Sequence, residues 1–159
     1  MADNDQAISV LNNLIETCKD GQNGFQTAAE GVKRSEFKSL FYQYSQQRAQ
    51  FAGELQEEVR RLGGDPEQAG SVAATLHRGW INLKSAVTGE DETAVLAECE
   101  RGEDSAVSNY RDALADANLP ADVRAIVERH YAQVQEAHDR IRNLERATAT
   151  TGGANTAGA

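Results

Sequence analysis

Residues 35–64 read SEFKSLFYQYSQQRAQFAGELQEEVRRLGG and contain the start, the body and the end of one helix. Apolar side chains recur at alternating spacings of three and four, which is the period of one helix face. Ser35 is the predicted N-cap, and Gly63-Gly64 is the predicted stop. The stretch therefore predicts an amphipathic helix of about 40 Å. Its stripe, interrupted by a single arginine, is Phe37, Phe41, Tyr44, Arg48, Phe51, Leu55, Val59 and Leu62.

Three further helices with the same period flank this one. They are predicted from about Asn4 to Lys33, from about Glu92 to Ala117, and from Pro120 to about Arg146. Very short turns join the first helix to the second and the third to the fourth, whereas residues 65–91 are long enough for a crossover that contains a short helix. Such a crossover makes the second and third helices parallel. The sequence thus predicts an all-α four-helix bundle with one long crossover.

Composition limits what this bundle can bind. The chain of 159 residues has 16 Lys and Arg against 25 Asp and Glu, for a formal net charge of -9. Such an acidic chain disfavours non-specific nucleic-acid binding, and we find neither a secretory signal nor a run of roughly 20 apolar residues that could span a membrane. We therefore expect a cytoplasmic protein with one domain over residues 1–147. Residues 148–159 contain only Thr, Gly, Ala and Asn and are predicted to be a disordered tail.

Small residues occupy informative positions within the helical patterns. Cys18 and Cys99 fall on the apolar stripes of the first and third helices, so we expect two buried free thiols, with a disulfide or redox pair as the alternative. Gly21 and Gly24 lie inside the first helix, where each glycine costs about 1 kcal/mol relative to alanine. We predict that they are packing notches for a neighbouring helix or a bulky side chain.

Each apolar stripe is interrupted near its midpoint by one polar residue, namely Gln22, Arg48, Glu103 or His130. Midpoints of antiparallel helices meet at one level, so the four side chains are predicted to share a layer. Mutual pairing of Arg48 and Glu103 would avoid the high cost of burying either charge alone. We therefore predict a structural buried polar layer. The alternatives are a degenerate metal site, or a register in which one or more of these residues face solvent.

The residue pattern of a two-iron centre is absent from the sequence. Such a site in a bundle uses a Glu on each of two helices and Glu-x-x-His on the other two. The residues three positions before the three histidines are Ala74, Val127 and Gln135. We therefore expect no standard di-iron centre and no cofactor.

A non-standard metal site is the alternative, for iron or another divalent ion. Its candidate ligands are Glu103, His130 and Glu54, or the three carboxylates Glu54, Glu58 and Glu103, because oxygen ligands suit hard cations. No nucleophile motif such as Gly-x-Ser-x-Gly appears in the sequence. The balance favours a protein that is not an enzyme.

Leu-His-Arg-Gly-Trp at residues 76–80 is the most distinctive segment of the predicted crossover. Trp80 falls on an apolar position, which predicts that it packs the crossover onto the bundle. A binding surface around His77, Arg78 and Trp80 is the alternative.

Several of these segments also carry a family resemblance. They are LNNLIE at 11–16, Asp20-Gly21 and Gly24-Phe25 before Ala28-Ala29-Glu30, and the segments 51–64, 76–80 and 98–110. Together they resemble an uncharacterised bacterial four-helix-bundle family of the ferritin-like superfamily, over about residues 5–146. The resemblance implies a ferritin-like bundle from a bacterial cytoplasm with no assigned activity. Many relatives in the wider superfamily store or oxidise iron, but only Glu103 stands at a position comparable to a ferritin-like glutamate.

These observations predict a non-enzymatic ferritin-like bundle, either associated with stress responses or acting as an interaction module, in which a polar layer replaces the di-iron centre. Association of copies through the flat faces of the bundle, as homo-oligomers, fits this prediction. The alternative function is a metal-binding or redox protein with a non-standard carboxylate/His site.

Overall fold

The computed structural model describes the backbone of residues 2–66 and 80–158 and the side chains of residues 4–66 and 80–148. This part of the chain is helical and has no strand. The helices are α1 (Ala2–Gly31), α2 (Ser35–Arg61), α3 (Leu83–Thr88), α4 (Glu92–Leu114) and α5 (Ala121–Gly158). The four long helices form the bundle, in which α1 packs against α2 and α4, and α5 packs against α4 and α2. The predicted all-α fold with a short extra helix in the crossover is confirmed.

Contacts at the two ends of the bundle define the helix directions. One oxygen of Glu92, at the start of α4, accepts the backbone N–H groups of Lys33 at 3.0 Å and Arg34 at 3.2 Å, between α1 and α2. At the opposite end, Arg61 of α2 donates to Asp122 of α5 at 2.7 Å. Helices α2 and α4 therefore start at the same end and run parallel, whereas α1 and α5 run in the opposite direction. The predicted parallel crossover is confirmed.

The sequence predicted the C-terminal end of α2 correctly, but not its N-terminal cap. Gly63 adopts a left-handed φ of 89°, and the N–H of Gly64 donates to the Val59 carbonyl at 2.9 Å, so the predicted stop is confirmed. The prediction that Ser35 is the N-cap is wrong, because Ser35 is already helical and Arg34 is the cap residue. The cap makes no side-chain hydrogen bond of its own. The Glu92 carboxylate holds the preceding turn instead, and only tertiary structure brings that group there.

Helix α4 begins and ends close to its predicted positions, and α5 begins close to its predicted start. The side chain of Asp91 caps α4 by accepting the N–H of Ala94 at 3.2 Å. Helix α4 ends at Leu114, three residues before the predicted end, where Arg124 of α5 donates to the Leu114 carbonyl at 2.7 Å. That bond satisfies one of the last carbonyls of α4, which have no partner within the helix.

Two predictions concern segments at the limits of the described chain. The crossover between α2 and α4 was predicted to contain a short helix, and the structure describes α3 in its last part, at Leu83–Thr88. His77 and Arg78, part of the alternative binding surface around Trp80, lie outside the described residues. The backbone of α5 is helical as far as Gly158, through the stretch for which the sequence predicts disorder. Extending an existing helix avoids the nucleation cost that an isolated segment pays.

The core consists of two apolar clusters, one towards each end of the bundle. On α1 the first cluster ends at Cys18 and the second begins at Phe25, and on α4 they are separated between Cys99 and Ala106. The interval between the clusters is the level at which Arg48 of α2 enters the bundle. Within the described residues, no helix has the length and apolar character that a membrane span needs.

Candidate functional site: the polar centre of the bundle

Arg48 of α2 and Glu103 of α4 form a bidentate ion pair in the interior. Nη1 donates to Oε1 and Nη2 donates to Oε2, both at 2.6 Å. The side chains are 1% and 0% exposed. Because the planar guanidinium matches the two oxygens of a carboxylate, both oxygens of Glu103 are engaged by a cation that belongs to the chain itself.

The remaining contacts of Arg48 hold the guanidinium in place. Its Nε donates to Gln47 at 3.2 Å, and its guanidinium carbon lies 5.4 Å from the centre of the Phe25 ring. A methyl group on Gly21 would lie 3.3 Å from both Cγ and Nη1 of Arg48, so the predicted notch at Gly21 is confirmed. Burial alone would lower the pKa of Arg48, but the charge and hydrogen bonds of Glu103 outweigh it and raise that pKa above its ordinary value.

Gln22 lies beside this pair and is only partly buried. Its backbone carbonyl accepts a hydrogen bond from the Ser45 hydroxyl at 2.9 Å, which ties α1 to α2. The hydrogen bond that the structure shows for Gln22 is therefore made by its backbone and not by its side-chain amide.

His130 lies about one helical turn from the level of the ion pair. Gln47, next to Arg48, donates to Gln133 of α5 at 3.2 Å, so α5 is shifted along its axis relative to the sequence prediction. The His130 ring is fully buried and stacks on Phe51, with 3.9 Å between centroids and 13° between planes. Of the four residues predicted to share one layer, Arg48 and Glu103 pair directly, whereas Gln22 is only partly buried and His130 lies about one turn away.

His130 belongs to a second polar chain. Its Nδ1 lies 3.3 Å from the hydroxyl of Tyr110, which in turn lies 3.1 Å from Sγ of Cys18. Its Nε2 faces Oε1 of Glu54 at 3.6 Å, and neither of these two buried atoms has a hydrogen-bond partner. Burial lowers the pKa of His130 to about 4, because the attraction of Glu54 offsets the loss of water only in part.

Glu54 lies at the outer end of this chain, where its side chain is 27% exposed. Its second oxygen, Oε2, accepts a hydrogen bond from Arg129. Burial by itself raises the pKa of Glu54, but Arg129 and His130 together lower it below the ordinary value. Glu54 therefore connects the buried Cys18–Tyr110–His130 chain to the surface.

These side chains do not fit a di-iron centre. On α2, Arg48 and Phe51 stand where the motif Glu-x-x-His would have its Glu and its His. On α5, Val127 stands in the Glu position and His130 in the His position. The carboxylates are thus replaced by a cation and an aliphatic side chain, and a phenyl ring covers the face of the remaining histidine.

The non-standard metal site fits no better. Because Arg48 engages both oxygens of Glu103, only Glu54 and His130 are left of the three candidate ligands. Two protein ligands are fewer than the three that open zinc sites use. The third carboxylate of the all-oxygen alternative, Glu58, bonds to Arg61. Within the described residues, no cluster of three or more His, Cys, Asp or Glu side chains could hold a metal ion.

Both cysteines are buried free thiols, as predicted. Burial raises the pKa of Cys18 to about 11, against a smaller lowering by its hydrogen bond to Tyr110, and burial also raises the pKa of Cys99 well above its usual value. Tyr110 lies on the buried apolar face of α4, so its spacing in the sequence gives no sign of the polar contacts of its hydroxyl. The available signal was its hydroxyl, since a buried tyrosine usually requires a hydrogen-bond partner.

Trp80 packs the crossover onto the bundle, as predicted. A methyl group on Gly24 of α1 would lie 2.4 Å from its ring, and one on Gly102 of α4 would lie 2.1 Å from it, so the indole fills a notch between two helices. The ring also meets Phe25 edge-on at 4.8 Å. The backbone of Trp80 has a left-handed φ of 69°, which costs a non-glycine residue about 1–2 kcal/mol. The notch predicted at Gly24 is confirmed.

Comparisons with known proteins agree with this fold. A crystal structure of a two-domain protein from Anabaena variabilis, containing DJ-1/ThiJ/PfpI-like and ferritin-like domains, is similar with a TM-score of 0.74 and 18% sequence identity. The match covers 91% of this chain and 40% of the Anabaena chain. No curated protein matches. The family model of a domain of unknown function, DUF2383, matches residues 6–116. The chain therefore belongs to the DUF2383 family and has a ferritin-like fold.

Proposed function

We propose that this chain is a non-enzymatic ferritin-like bundle in which the Arg48–Glu103 ion pair replaces the metal centre of iron-binding relatives. The bidentate geometry of the pair is the observation that carries the proposal. A ferritin-like glutamate neutralises its charge on a metal ion, whereas Glu103 neutralises it on a guanidinium of the same chain. The pair then sets the register of α2 against α4 and leaves Glu103 without a free oxygen for a ligand.

We further propose that the bundle works as an interaction module. The Anabaena protein carries its ferritin-like domain together with a DJ-1/ThiJ/PfpI-like domain in one chain, an arrangement that supports a bundle acting beside another protein domain. Self-association into a homo-oligomer is the simplest form of such an interaction, and light scattering on the purified chain tests it. A cytoplasmic location, a bacterial source and an association with stress responses remain predictions from the sequence and its family resemblance.

A metal titration tests the first proposal. Metal-free protein is titrated by calorimetry with Fe²⁺ under anaerobic conditions and, separately, with Zn²⁺, beside a Glu54→Gln variant. We expect no stoichiometric binding at micromolar metal in either protein, because the Glu103 carboxylate is already bound at both oxygens.

Stoichiometric binding to the wild-type chain would contradict the proposal. If that binding were lost in Glu54→Gln, the metal would be located at Glu54 and His130, and the function would be that of a metal-binding or redox protein with a non-standard site. Binding that survives in Glu54→Gln would point to displacement of Arg48 from Glu103.

A further inference from the structure

The phenol of Tyr110 lies between a thiol and an imidazole in the interior of the bundle. Its side chain is fully buried, its hydroxyl is 3.1 Å from Sγ of Cys18, and it is 3.3 Å from Nδ1 of His130. The two contacts differ in what they offer to the phenol. A neutral thiol carries a weak proton donor, and a neutral imidazole carries one proton acceptor. Because Nε2 of His130 faces the Glu54 carboxylate, we assign the imidazole hydrogen to Nε2, which leaves Nδ1 to accept the phenol O–H and the phenol oxygen to accept the Cys18 S–H.

Simple deprotonation is not available to this phenol. Burial raises the pKa of Tyr110 well above its usual value, since a phenolate would be desolvated in the core. Removal of an electron changes this, because a phenol that has lost an electron is a strong acid and releases its proton to the nearest base. That base is Nδ1 of His130. Burial lowers the pKa of this histidine to about 4, so its ring is neutral, and the tautomer with its hydrogen on Nε2, the nitrogen that faces the Glu54 carboxylate, has Nδ1 as the acceptor.

The Glu54 carboxylate offsets part of the cost of protonating His130, a cost that comes from burial and from the charges of Arg129 and Arg48. Protonation would make its unpartnered Nε2 the charged end of an imidazolium, 3.6 Å from the unpartnered Oε1 of Glu54. The imidazolium and the carboxylate attract each other at that distance, and water screens part of the attraction because Glu54 is 27% exposed. The chain Tyr110–His130–Glu54 thus has an acceptor for the proton and a counter-charge for the acceptor.

We propose that Tyr110 is a one-electron redox site, oxidised by a diffusible radical or another one-electron oxidant while its phenolic proton passes to Nδ1 of His130. The oxidant gains one electron, the O–H bond of Tyr110 breaks, and an N–H bond forms on His130. The products are a neutral phenoxyl radical and an imidazolium that faces the Glu54 carboxylate. Cys18 keeps its hydrogen and donates a hydrogen bond to the phenoxyl oxygen. The site shares no hydrogen bond with the Arg48–Glu103 pair among the described contacts, but the charges of both members of the pair act on the Tyr110 phenol.

The other tyrosines provide a comparison. Tyr42 is exposed, whereas Tyr44 and Tyr131 are partly buried beside the second and the first apolar cluster, respectively. An electron can tunnel from a buried ring, but a proton moves only across a hydrogen bond, so the acceptor selects which phenol is oxidised to a stable radical. Only Tyr110 has a hydrogen bond to a neutral histidine among the contacts that the structure describes.

The test is oxidation of the full chain by photogenerated ruthenium(III) tris-bipyridine, followed by freezing and electron paramagnetic resonance. We expect a neutral tyrosyl radical in the wild type and in the Tyr131→Phe control, and loss of most of that signal in Tyr110→Phe. Cys18→Ala should shift the largest g-value of the radical upwards, because the phenoxyl oxygen loses a hydrogen-bond donor. His130→Leu should lower the radical yield.

A radical signal of unchanged size in Tyr110→Phe would overturn the proposal. If His130→Leu does not fold, electron–nuclear double resonance on the wild type in H₂O and D₂O decides instead. The proposal requires two exchangeable protons coupled to the Tyr110 radical, one from Cys18 and one from His130, and a spectrum with a single exchangeable coupling would contradict it.

Discussion

Replacement of Arg48 by methionine tests how the ion pair contributes to the fold. Methionine has similar length and fills the same channel beside Gly21, but it leaves the Glu103 carboxylate buried with no cation. Removing one partner of a buried pair costs about 3–5 kcal/mol, because the remaining charge stays desolvated. For a domain of this size, a loss of that magnitude lowers the melting temperature by about 6–20 °C. Since total stability is typically about 5–15 kcal/mol, the variant loses a large part of it.

Urea denaturation followed by far-ultraviolet circular dichroism measures the loss. The matched control is the double variant Arg48→Met/Glu103→Leu, in which both charges are replaced by apolar groups. Such replacements of a buried pair are often neutral or stabilising by about 1–4 kcal/mol, so the double variant should recover most of the loss.

Two results would refute this reasoning. An Arg48→Met variant as stable as the wild type would mean that Glu103 finds water or another cation, and that the pair does not hold the register of α2 against α4. A double variant as unstable as the single one would mean that the loss comes from packing rather than from the stranded charge.

Three further predictions follow from the geometry. Gly102→Ala should lower the free energy of unfolding by about 1–3 kcal/mol and alter Trp80 fluorescence, since its methyl group would lie 2.1 Å from the indole. Gly53→Ala is the control: nothing lies within 4 Å of its methyl group, so it should stabilise α2 by up to about 1 kcal/mol. Equal effects of the two variants in urea denaturation would contradict both predictions. Burial lowers the pKa of His130 in the folded state from 6.5 to about 4. Neutral His130 therefore contributes up to about 3 kcal/mol to the free energy of unfolding, fully above pH 6.5 and progressively less as the pH falls towards 4. The slope of stability against pH over this interval should be flatter in His130→Leu than in the wild type, and an unchanged slope would show that His130 titrates normally. Truncation after Ala147 should leave the melting temperature unchanged if the tail is not part of the domain, and a lower temperature would assign the tail to it.

Local pattern was enough for most of the architecture. The alternating spacings in α1, α2, α4 and α5 predicted four helices. Gly63-Gly64 predicted the end of α2, because a glycine in the left-handed conformation lets the following N–H groups bond to the last carbonyls of the helix. Gly21 and Gly24 were identified as notches because glycine inside a strong helix needs a compensating contact. These predictions depend on neighbours within a few residues, which sequence reveals.

The candidate site required information that spacing does not contain. Arg48 and Glu103 were predicted to pair because two buried charges of opposite sign reduce each other's cost. His130 was expected at the same level, but the axial position of α5 in the bundle places it about one turn away. Tyr110 was missed for a related reason, since the partners of its hydroxyl come from α1 and α5, on either side of α4.

The sequence by itself determined that this chain forms an acidic helical bundle with charged groups in its interior and without the ligand pattern of a di-iron centre. Helix period, terminal glycines and burial cost are properties of short stretches, so they can be derived without coordinates. Only the tertiary structure decided that Arg48 engages both oxygens of Glu103, and that Cys18 and His130 meet at Tyr110. The reason is physical, since hydrogen bonds and ion pairs form over about 3 Å, whereas the sequence specifies helix offsets no more closely than about one turn.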